Sequence, residues 1–533
     1  MECEKDVSIP FHHQPNMNTT PPCITVSAPG KVLIAGGYLV LEQPNVGIVL
    51  AANGCSFHST VMATSVEGEN FNVNFNSNSN PGFWLLLRVH SPQFRTVFEY
   101  SVHVTNDGVS ISPNGDASNP FIERTLAIAL RYIHEAGALN GVYKDMLVEG
   151  KVLSVKLRAD NDFYSQVRHL KQKNLELTPG NMARLDPFLP CPVDESTGEL
   201  IVNKTGMGSS AALVTSLVGS LLRYFGLVKL PSTSTNNDND DNLTYGKDVA
   251  MVHNLSQICH SVAQGKIGSG FDVSSACYGS HAYTRFNPDI ISDCMNEELG
   301  MNNVLYHIVN DNCKWDNTVR VLNLIEGIEL LMADVCGGSE SPSMARKIMK
   351  WKRERIASSN EVDLWEKLKQ CNNDIFSLMQ TIVTCASDNI SSNLPVELSQ
   401  KDIDEWKKCP PFGSILYELR QTLSQNRSLM KQMGDAAGVP VVPDTQSHII
   451  EETEKIKGVI ACGVPGAGGY DALYVIYLRG EITDEGRSDI VRDEVASLWK
   501  SMSEDNGFQV CPLSLRSSGS MWGGLKESYG LPW

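Results

Sequence analysis

The sequence lacks the common metal and redox motifs of cysteine-containing proteins. Its 14 cysteines are scattered over 533 residues, no C-x-x-C pair occurs, and no Cys/His cluster has the spacing of a zinc site. Disulfides are rare in large proteins of reducing compartments, where cysteines serve as core residues. The pattern therefore disfavours a structural zinc site and a disulfide framework, and it predicts reduced thiols in a protein of cytosolic type.

Basic charge and long apolar runs are also scarce. Lys and Arg number 44 against 61 Asp and Glu, which gives a formal net charge of 44 − 61 = −17. Such a chain repels nucleic acid and anionic membranes as a whole. No uninterrupted apolar run reaches the ~18 residues of a membrane helix. We therefore expect a soluble protein with no nucleic-acid partner and no membrane partner.

Neither end of the sequence shows a recognisable targeting signal. Residues 1–22 lack the apolar core of a secretory signal, and they predict a loose N-terminal tail. The last three residues, 531–533, do not form a peroxisomal tripeptide. The expected location is the cytoplasm, although a visit to the peroxisome stays open.

The length implies more than one core, since single cores stop growing at about 250–300 residues. We predict an N-terminal domain over 23–320, with an acidic low-complexity surface loop at 231–242. A C-terminal domain is predicted over 330–510, and no structure is predicted for the tail 511–533. Both domains mix α and β elements.

Hydrophobic periodicity and glycine-rich breaks predict the main elements. The strand candidates are Cys23–Ile34, Val46–Ala52, Leu153–Leu157 and Ala472–Leu478. The helix candidates are Val249–Gln264, Pro342–Glu354 and Val362–Thr384.

The segment TGMGSSAA is a glycine loop that leads into a helix. Gly206 and Gly208 permit positive φ and a close approach of the backbone. The helix behind them has an apolar face made of Leu213, Leu217, Leu221 and Phe225. Unpaired N–H groups and the positive end of the helix dipole meet in this loop, so it can hold an anion. It is not a Walker loop, because the spacing differs and Lys204 lies upstream of the glycines; the alternative is a serine-capped helix that enters the core.

Three further motifs carry candidate chemistry. In KIGSGFD, Asp272 follows a flexible turn that can present a carboxylate to a bound hydroxyl, or it can simply cap the next helix. The loop GVPGAGG, residues 463–469, precedes a strand, and an ordinary turn between strands is the alternative. In SAPGKVLIAGGYLVLE, Lys31 stands at the mouth of a strand, where a lone lysine is usually a solvated edge residue.

In this order along the chain, the four motifs resemble those of the GHMP kinase superfamily, whose members bind ATP with a Gly-Leu-Gly-Ser-Ser-Ala loop. The strings NDFYS, AQGKIGSGFDVSSACYGS, GGSESPSM and GVPGAGGYDALYVI are similar to those of eukaryotic-type phosphomevalonate kinases, over about residues 24–480. The resemblance implies an α+β, two-domain GHMP kinase fold. Its N-terminal, nucleotide-binding domain would be ribosomal-protein-S5-domain-2-like α/β, with a left-handed crossover, and its C-terminal domain would be ferredoxin-like α+β.

The resemblance also implies a reaction and the residues that perform it. ATP would phosphorylate 5-phosphomevalonate to 5-diphosphomevalonate, a step in the mevalonate pathway of isoprenoid biosynthesis. The ATP phosphates would lie against the backbone of Gly206, Met207, Gly208, Ser209, Ser210 and Ala211, with Lys204 beside it. Ser210 would face Mg²⁺, and Ser209 a phosphate oxygen.

By the same resemblance, Asp272 would accept or orient the hydroxyl proton, and Lys31 would stabilise charge in the transition state. The third loop would close over the acceptor through Gly466, Ala467, Gly468 and Gly469. Because the implied acceptor carries a phosphate, its site needs cationic or hydrogen-bonding partners. The candidates are Lys204, Lys266, Gly268, Ser269, Arg285, Ser341 and Ser343. Arg346, Lys347, Lys350, Lys352 and Arg353 instead suggest one solvated basic face.

One departure from the superfamily pattern concerns the metal. Mevalonate kinases carry an acidic residue on the helix before the GSG turn, and this chain has His260, Ser261 and Gln264 there. The second protein ligand of Mg²⁺ is therefore left open.

Two other functions remain possible at this stage. One is a GHMP kinase for another small alcohol, such as mevalonate or homoserine, and the other is a catalytically silent sensor on the same fold. The oligomeric state, monomer or homodimer, is not determined by the sequence.

Overall fold

A computed structural model of the chain describes residues 23–65, 82–139, 151–232, 241–295, 304–322, 325–335, 341–357, 362–387, 393–483, 488–506, 509–513, 523–529 and 531. Three predicted features fall wholly or partly outside these ranges. They are the N-terminal tail 1–22, most of the acidic loop 231–242 and the first half of the GGSESPSM string.

The described residues form fifteen strands. They are β1 Ile24–Ala35, β2 Gly47–Ser65, β3 Gly82–Ser91, β4 Thr96–Thr105, β5 Val109–Pro113, β6 Lys151–Ala159, β7 His281–Thr284, β8 Thr318–Val321, β9 Ile328–Val335, β10 Val459–Gly463, β11 Ala472–Leu478, β12 Ile482–Thr483, β13 Ser488–Asp489, β14 Val510–Pro512 and β15 Lys526–Glu527.

The same ranges form fourteen α-helices. They are α1 Pro120–Glu135, α2 Val167–Gln172, α3 Pro179–Met182, α4 Ser209–Tyr224, α5 Asp241–Gln264, α6 Phe271–Tyr278, α7 Val304–Asn310, α8 Ser341–Ala357, α9 Val362–Ser387, α10 Leu394–Ser399, α11 Ile403–Trp406, α12 Phe412–Ala437, α13 Asp444–Thr453 and α14 Ile490–Asn506. Short 3₁₀ turns lie at Leu39–Leu41, Pro92–Phe94, Asn161–Phe163 and Pro288–Met295.

The larger sheet has nine strands in the order β15-β1-β2-β6-β3-β4-β5, with β7 beside β2 and β8 beside β7. Its pairs are antiparallel except β3 with β6, which is parallel. Strand β1 is buried along almost its whole length, with Lys31 the partial exception. The register of β1 against β2 shifts between Pro29 and Gly30. Such a bulge re-aims the next side chain, and here that side chain is Lys31.

The smaller sheet has four antiparallel strands in the order β10-β11-β9-β14. In chain order these strands are second, third, first and fourth, and helices lie between β9 and β10 and between β11 and β14. This is the βαββαβ arrangement of ferredoxin-like domains, so that part of the predicted fold class is confirmed. We propose to divide the chain between the two sheets, at 23–320 and 330–510 as the sequence suggests.

The C-terminal tail, for which no structure was predicted, returns to the larger sheet. Strand β15 pairs with β1 through Val26 and Ser27. The Leu525 N–H donates to the Cys277 carbonyl at 3.1 Å, and Arg223 Nε donates to Glu527 at 2.9 Å. The end of the chain therefore covers the edge of β1.

The predicted elements are present, with shifted ends. The helix predicted from Val249 begins at Asp241, so the low-complexity segment 231–242 is helical in its last two residues. Hydrophobic periodicity does not locate the start of a helix whose first residues are polar, because those residues form no apolar face. The twelve cysteines in the described ranges are free thiols. Within those ranges, no helix has the length and apolar character needed to cross a membrane.

A buried ion pair fixes the stem of the third glycine loop. Arg427 on α12 donates through Nη1 and Nη2 to Glu454, at 2.6 and 2.9 Å, and also to the Cys462 carbonyl at 2.6 Å. The Cys462 N–H in turn donates to Glu454 at 3.1 Å. The side chains of Arg427 and Glu454 are only 18% and 12% exposed. Strand β10 is thereby held against α12 immediately before Gly463.

We expect Glu454→Ala to lower the free energy of unfolding by about 3 kcal/mol, because it leaves the Arg427 guanidinium buried without its counter-charge. Thermal unfolding followed by circular dichroism measures the change. Asp404→Asn is the matched control, since its ion pair with Lys407 is exposed, at 81% and 49%, and exposed pairs contribute little to stability. Equal losses in the two variants would contradict this role for the buried pair.

Candidate active site

The segment that enters the first glycine loop is held by the NDFYS string. The Ser165 N–H donates to the Asn203 carbonyl at 2.8 Å, and the Thr205 N–H donates to the Phe163 carbonyl at 3.2 Å. The Thr205 hydroxyl adds a bond of 2.6 Å to the Asp162 carbonyl. The NDFYS string, Asn161 to Ser165, therefore supports the base of the loop.

The loop itself adopts the conformation that its glycines were expected to allow. Gly206 and Gly208 both have φ of +76°, in the left-handed region. Gly208 is the N-cap of α4, and no side chain caps this helix. The N–H groups of the first turn have no acceptor within a helix, so those of Ser209, Ser210 and Ala211 are available to a ligand. The alternative of a serine-capped helix is therefore wrong for this end of α4.

Lys31 lies along this loop and is not a solvated edge residue. Its N–H donates to the Met207 carbonyl at 2.9 Å, and its Nζ donates to the Gly206 carbonyl at 2.9 Å. The same Nζ lies 5.5 Å from the centre of the Phe271 ring. Burial lowers the pKa of Lys31 below its ordinary value, and the nearby Asp272 carboxylate partly offsets that effect.

Asp272 lies in the first turn of α6, whose N-cap is Gly270. Its Oδ1 accepts from the N–H of the next residue, Val273, at 3.0 Å. Its side chain is 23% exposed, and Oδ2 is 3.9 Å from Nε2 of His260. Asp272 is therefore not the N-cap of the helix, and Oδ2 faces His260, which contacts Ser210 at the end of the first glycine loop.

His260 links Ser210 and Asp272, and the sequence named it only as a position without a carboxylate. The Ser210 hydroxyl lies 3.1 Å from His260 Nε2, and the same nitrogen faces Asp272. The Gln264 amide contacts the ring at 2.7 and 2.8 Å. Burial lowers the pKa of His260, and Asp272 partly opposes that shift. The available signal was its position on α5, where the superfamily carries an acid.

The third glycine loop reaches across from the smaller sheet to β1. The Gly466 N–H donates to the Leu33 carbonyl at 2.9 Å, and the Tyr38 hydroxyl donates to the Ala467 carbonyl at 2.5 Å. A Cβ at Gly468, where φ is +77°, would lie 2.0 Å from the Val441 carbonyl oxygen. Gly469 is buried in the same turn. An ordinary turn does not explain these contacts, because they bring the loop beside the strand that carries Lys31.

The residues predicted to hold the acceptor are distributed less simply. Lys204 and Lys266 are exposed, and Gly268 and Ser269 are half-buried beside Asp272. Arg285 directs its guanidinium to backbone carbonyls. The remaining two residues are on α8: Ser341 begins that helix, its side chain lies outside the described atoms, and Ser343 is half-buried.

The predicted basic face on α8 is only partly solvated. Four of its members are exposed: Arg346, Lys347, Lys350 and Arg353. Lys352 differs, because its ammonium group pairs with Glu42 and lies 4.0 Å from the centre of the Trp365 ring. This contact joins α8 to the segment that follows β1.

The chain was compared with known proteins, first by structure and then by sequence. No family model matches the chain. The solved structures that share its fold include the Lin0012 protein of Listeria innocua, with a TM-score of 0.52 and 17% identity over 92% of this chain and 96% of the other. They also include Streptococcus pneumoniae phosphomevalonate kinase in complex with phosphomevalonate and AMPPNP, with a TM-score of 0.50 and 12% identity over 91% of this chain and 98% of the other.

Curated relatives are closer in sequence. Peroxisomal phosphomevalonate kinase of Arabidopsis thaliana is 34% identical over 480 residues, which cover 85% of this chain and 90% of that protein. Phosphomevalonate kinase of Gibberella zeae is 31% identical over 488 residues, which cover 88% and 91%.

The fold and the glycine-loop site define a small-molecule kinase of the GHMP superfamily. Within it, the identity to these relatives over most of both chains shows that the chain belongs to the phosphomevalonate kinase family. The predicted superfamily and family are thereby confirmed.

We expect Gly208→Ala to weaken nucleotide binding about tenfold or more. An added Cβ would lie 3.1 Å from Cγ and 3.2 Å from Cε of Lys31, so the lysine side chain must shift, which disturbs its bond to the Gly206 carbonyl. Nucleotide affinity is measured by titration calorimetry with a non-hydrolysable ATP analogue.

Gly137→Ala is the matched control for this variant. Gly137 has φ of +72°, and a Cβ there meets nothing within 4 Å. It therefore carries the left-handed strain of about 1–2 kcal/mol without touching the site. Equal nucleotide affinity in the two variants would contradict the importance of the contact between Gly208 and Lys31.

Proposed function

We propose that this chain transfers the γ-phosphoryl group of ATP to the phosphate of 5-phosphomevalonate, giving ADP and 5-diphosphomevalonate. A bond forms between an oxygen of the acceptor phosphate and the γ-phosphorus. The bond from that phosphorus to the β,γ-bridging oxygen breaks, and its electron pair remains on ADP. Phosphoryl transfer depends mainly on positioning and on charge stabilisation. The observation that supports this proposal is the convergence of the phosphate loop, Lys31 and Asp272 in a member of this family.

Each group has a proposed role. The N–H groups of Ser209, Ser210 and Ala211 bind phosphate oxygens, where the positive end of α4 favours negative charge. Lys31 is tethered to the same loop through the Gly206 carbonyl, so its ammonium lies where charge builds up during transfer. Lys204 lies at the entrance of the loop and is exposed, which leaves it available to the nucleotide.

Because the acceptor is a phosphate, Asp272 has little need to act as a general base. The second pKa of a phosphate monoester is about 6, so most of the acceptor is already a dianion at neutral pH. A general base is then needed only for the minor, protonated fraction. The main proposed contribution of Asp272 is therefore to favour the charged form of Lys31, whose pKa it raises against the effect of burial.

The site fits Mg²⁺ in part. The Ser210 hydroxyl can donate to His260 Nε2, at 3.1 Å, which leaves its oxygen lone pairs free for a cation. No group of three or more His, Cys, Asp or Glu side chains suited to a metal occurs in the described ranges. We propose Ser210 as the protein ligand, with the remaining ligands from nucleotide and water, as is usual for this ion. Mg²⁺ would neutralise charge on the transferred phosphoryl group.

We propose that the acceptor lies between the GSG turn and the third glycine loop. Lys266, Gly268 and Ser269 would border this space on one side. Gly466, Ala467, Gly468 and Gly469 would border it on the other, with Ser341 and Ser343 at the start of α8. The proposed location is the cytoplasm, although the Arabidopsis relative is named as peroxisomal. We also propose that the chain acts without nucleic-acid or membrane partners, as a monomer or a homodimer.

We expect ADP release with ATP and Mg²⁺ when 5-phosphomevalonate is supplied, and none with mevalonate, homoserine or galactose. Asp272→Asn should lower kcat about 100-fold or more, the range for loss of a positioned acid–base or electrostatic group. Asp404→Asn, on the surface, serves as the control and should retain activity. Turnover of another alcohol would identify a different kinase, and silence with every acceptor but retained ATP binding would favour a sensor.

We also expect kcat to fall at alkaline pH with an apparent pKa below the usual 10.5 of lysine. The reason is that burial lowers the pKa of Lys31, and the ammonium loses its proton as the pH rises through that value. Lys31→Arg stays charged throughout this range, so it should show no alkaline fall, whatever its maximal rate. A pH–rate profile measured from pH 7 to 10.5 tests this, and an unchanged alkaline limb in Lys31→Arg would assign that limb to another group.

A further inference from the structure

The loop before Asp272 has four consecutive carbonyls, and each accepts a hydrogen bond from a side chain behind it. Arg285 Nη2 donates to the Ile267 and Gly268 carbonyls, at 3.3 and 2.6 Å. The Tyr283 hydroxyl donates to the Ser269 carbonyl at 3.2 Å. Gln257 Nε2 donates to the Gly270 carbonyl at 2.8 Å. We name these three side chains, Gln257, Tyr283 and Arg285, the carbonyl clamp.

The direction of the Tyr283 bond is fixed by its surroundings. A carbonyl oxygen can only accept, so the Tyr283 hydroxyl is the donor to Ser269. A phenol has one proton to give, and the Ser269 carbonyl accepts it. The Tyr283 side chain is fully buried, so water does not replace this partner when the bond is lost.

The Gln257 amide is oriented by a chain of bonds along α5. Asn254 Nδ2 donates to the Val309 carbonyl at 3.0 Å, which directs Asn254 Oδ1 to His253 Nδ1, 3.0 Å away. His253 Nε2 is then an acceptor, and Gln257 Nε2 lies 3.0 Å from it. Burial lowers the pKa of His253 to about 4, so the ring is neutral at pH 7. Gln257 thus donates one amide hydrogen to His253 Nε2 and the other to the Gly270 carbonyl.

Arg285 joins the loop to the motif that carries Lys31. Its Nη1 donates to the Leu41 carbonyl at 2.7 Å, in the segment that follows β1. Its own carbonyl accepts from Gln43 Nε2 at 2.6 Å. The planar guanidinium thus holds carbonyls of two separate motifs at once, an arrangement that a lysine ammonium reproduces poorly.

Gly270 shows how closely the loop fits the clamp. Its φ is +79°, and a Cβ there would lie 2.8 Å from the Tyr283 hydroxyl and 3.0 Å from Gln257 Oε1. Because all four carbonyls turn toward these side chains, the loop has little freedom to rotate its peptide planes. Asp272 follows only two residues later, at the start of α6.

We propose that Gln257, Tyr283 and Arg285 are positioning residues for phosphoryl transfer, and that the carbonyl clamp keeps Asp272 and the acceptor-facing side of the loop in the reactive geometry. This inference rests on the proposed function, and it gives Arg285 a role different from direct binding of the acceptor phosphate. Transfer is sensitive to displacements of about 1 Å, which can cost about 100-fold in rate, so a clamp that does not touch substrate still affects kcat.

The test uses Tyr283→Phe, which keeps the ring and removes only the hydroxyl. Tyr132→Phe is the matched control: Tyr132 is also buried, on α1, and its hydroxyl is bonded to Asn310 at 3.0 Å. We expect Tyr283→Phe to lower kcat about fivefold or more, the effect of one displaced hydrogen bond, with nucleotide affinity unchanged. Tyr132→Phe should lose similar thermal stability and keep its kcat.

The rate at which trypsin cleaves the folded protein after Lys266 is a second measurement, and it does not depend on catalytic activity. Lys266 is exposed and immediately precedes the clamped carbonyls. We expect faster cleavage there in Tyr283→Phe than in Tyr132→Phe or the wild-type protein. Arg285→Lys should cleave faster too, and should lose more of its kcat than Tyr283→Phe because three carbonyls are released.

An unchanged kcat in Tyr283→Phe would overturn the positioning role, whatever the cleavage rate. Equal cleavage in Tyr283→Phe and Tyr132→Phe would overturn the clamp itself. If the wild-type protein phosphorylated no acceptor, the proposed function would be wrong. The cleavage rates would still show whether the three side chains restrain the loop.

Discussion

A lysine ammonium held against a backbone carbonyl is the constraint on which the site depends. Lys31 bonds to the glycine loop through both its main chain and its side chain. Moving a charge out of water is costly unless it is compensated, and Asp272 and the loop carbonyl supply the compensation. The bulge at Pro29 and Gly30, the left-handed glycines and the GSG turn all serve to bring these groups together.

Much of this arrangement follows from local sequence. Glycine pairs in front of an apolar helix predicted a loop that can hold an anion, and the four motifs resembled those of the superfamily. Those signals are local because each depends on the backbone conformation of a few adjacent residues. The strands and helices that carry the motifs were predicted for the same reason, with errors at the ends of polar segments such as the start of α5.

The parts that could not be predicted depend on contacts between distant segments. His260 meets Ser210 across 50 residues, and nothing in either local pattern points to the other. Arg285 was proposed as an anion ligand because it is basic and lies beside a matched string. Its three carbonyl partners come from two other segments, and only the folded geometry shows that Nη1 and Nη2 already donate to them.

The pairing of β15 with β1 has a consequence for how the protein is made. Ser27 and Ser528 are hydrogen-bonded across 501 residues of chain. A ribosome adds about 5–20 residues per second, so the outer edge of β1 stays without its partner for on the order of a minute after that strand emerges. An unpaired strand edge invites association with other chains, so during synthesis this edge is a site where a nascent chain is open to capture by a chaperone.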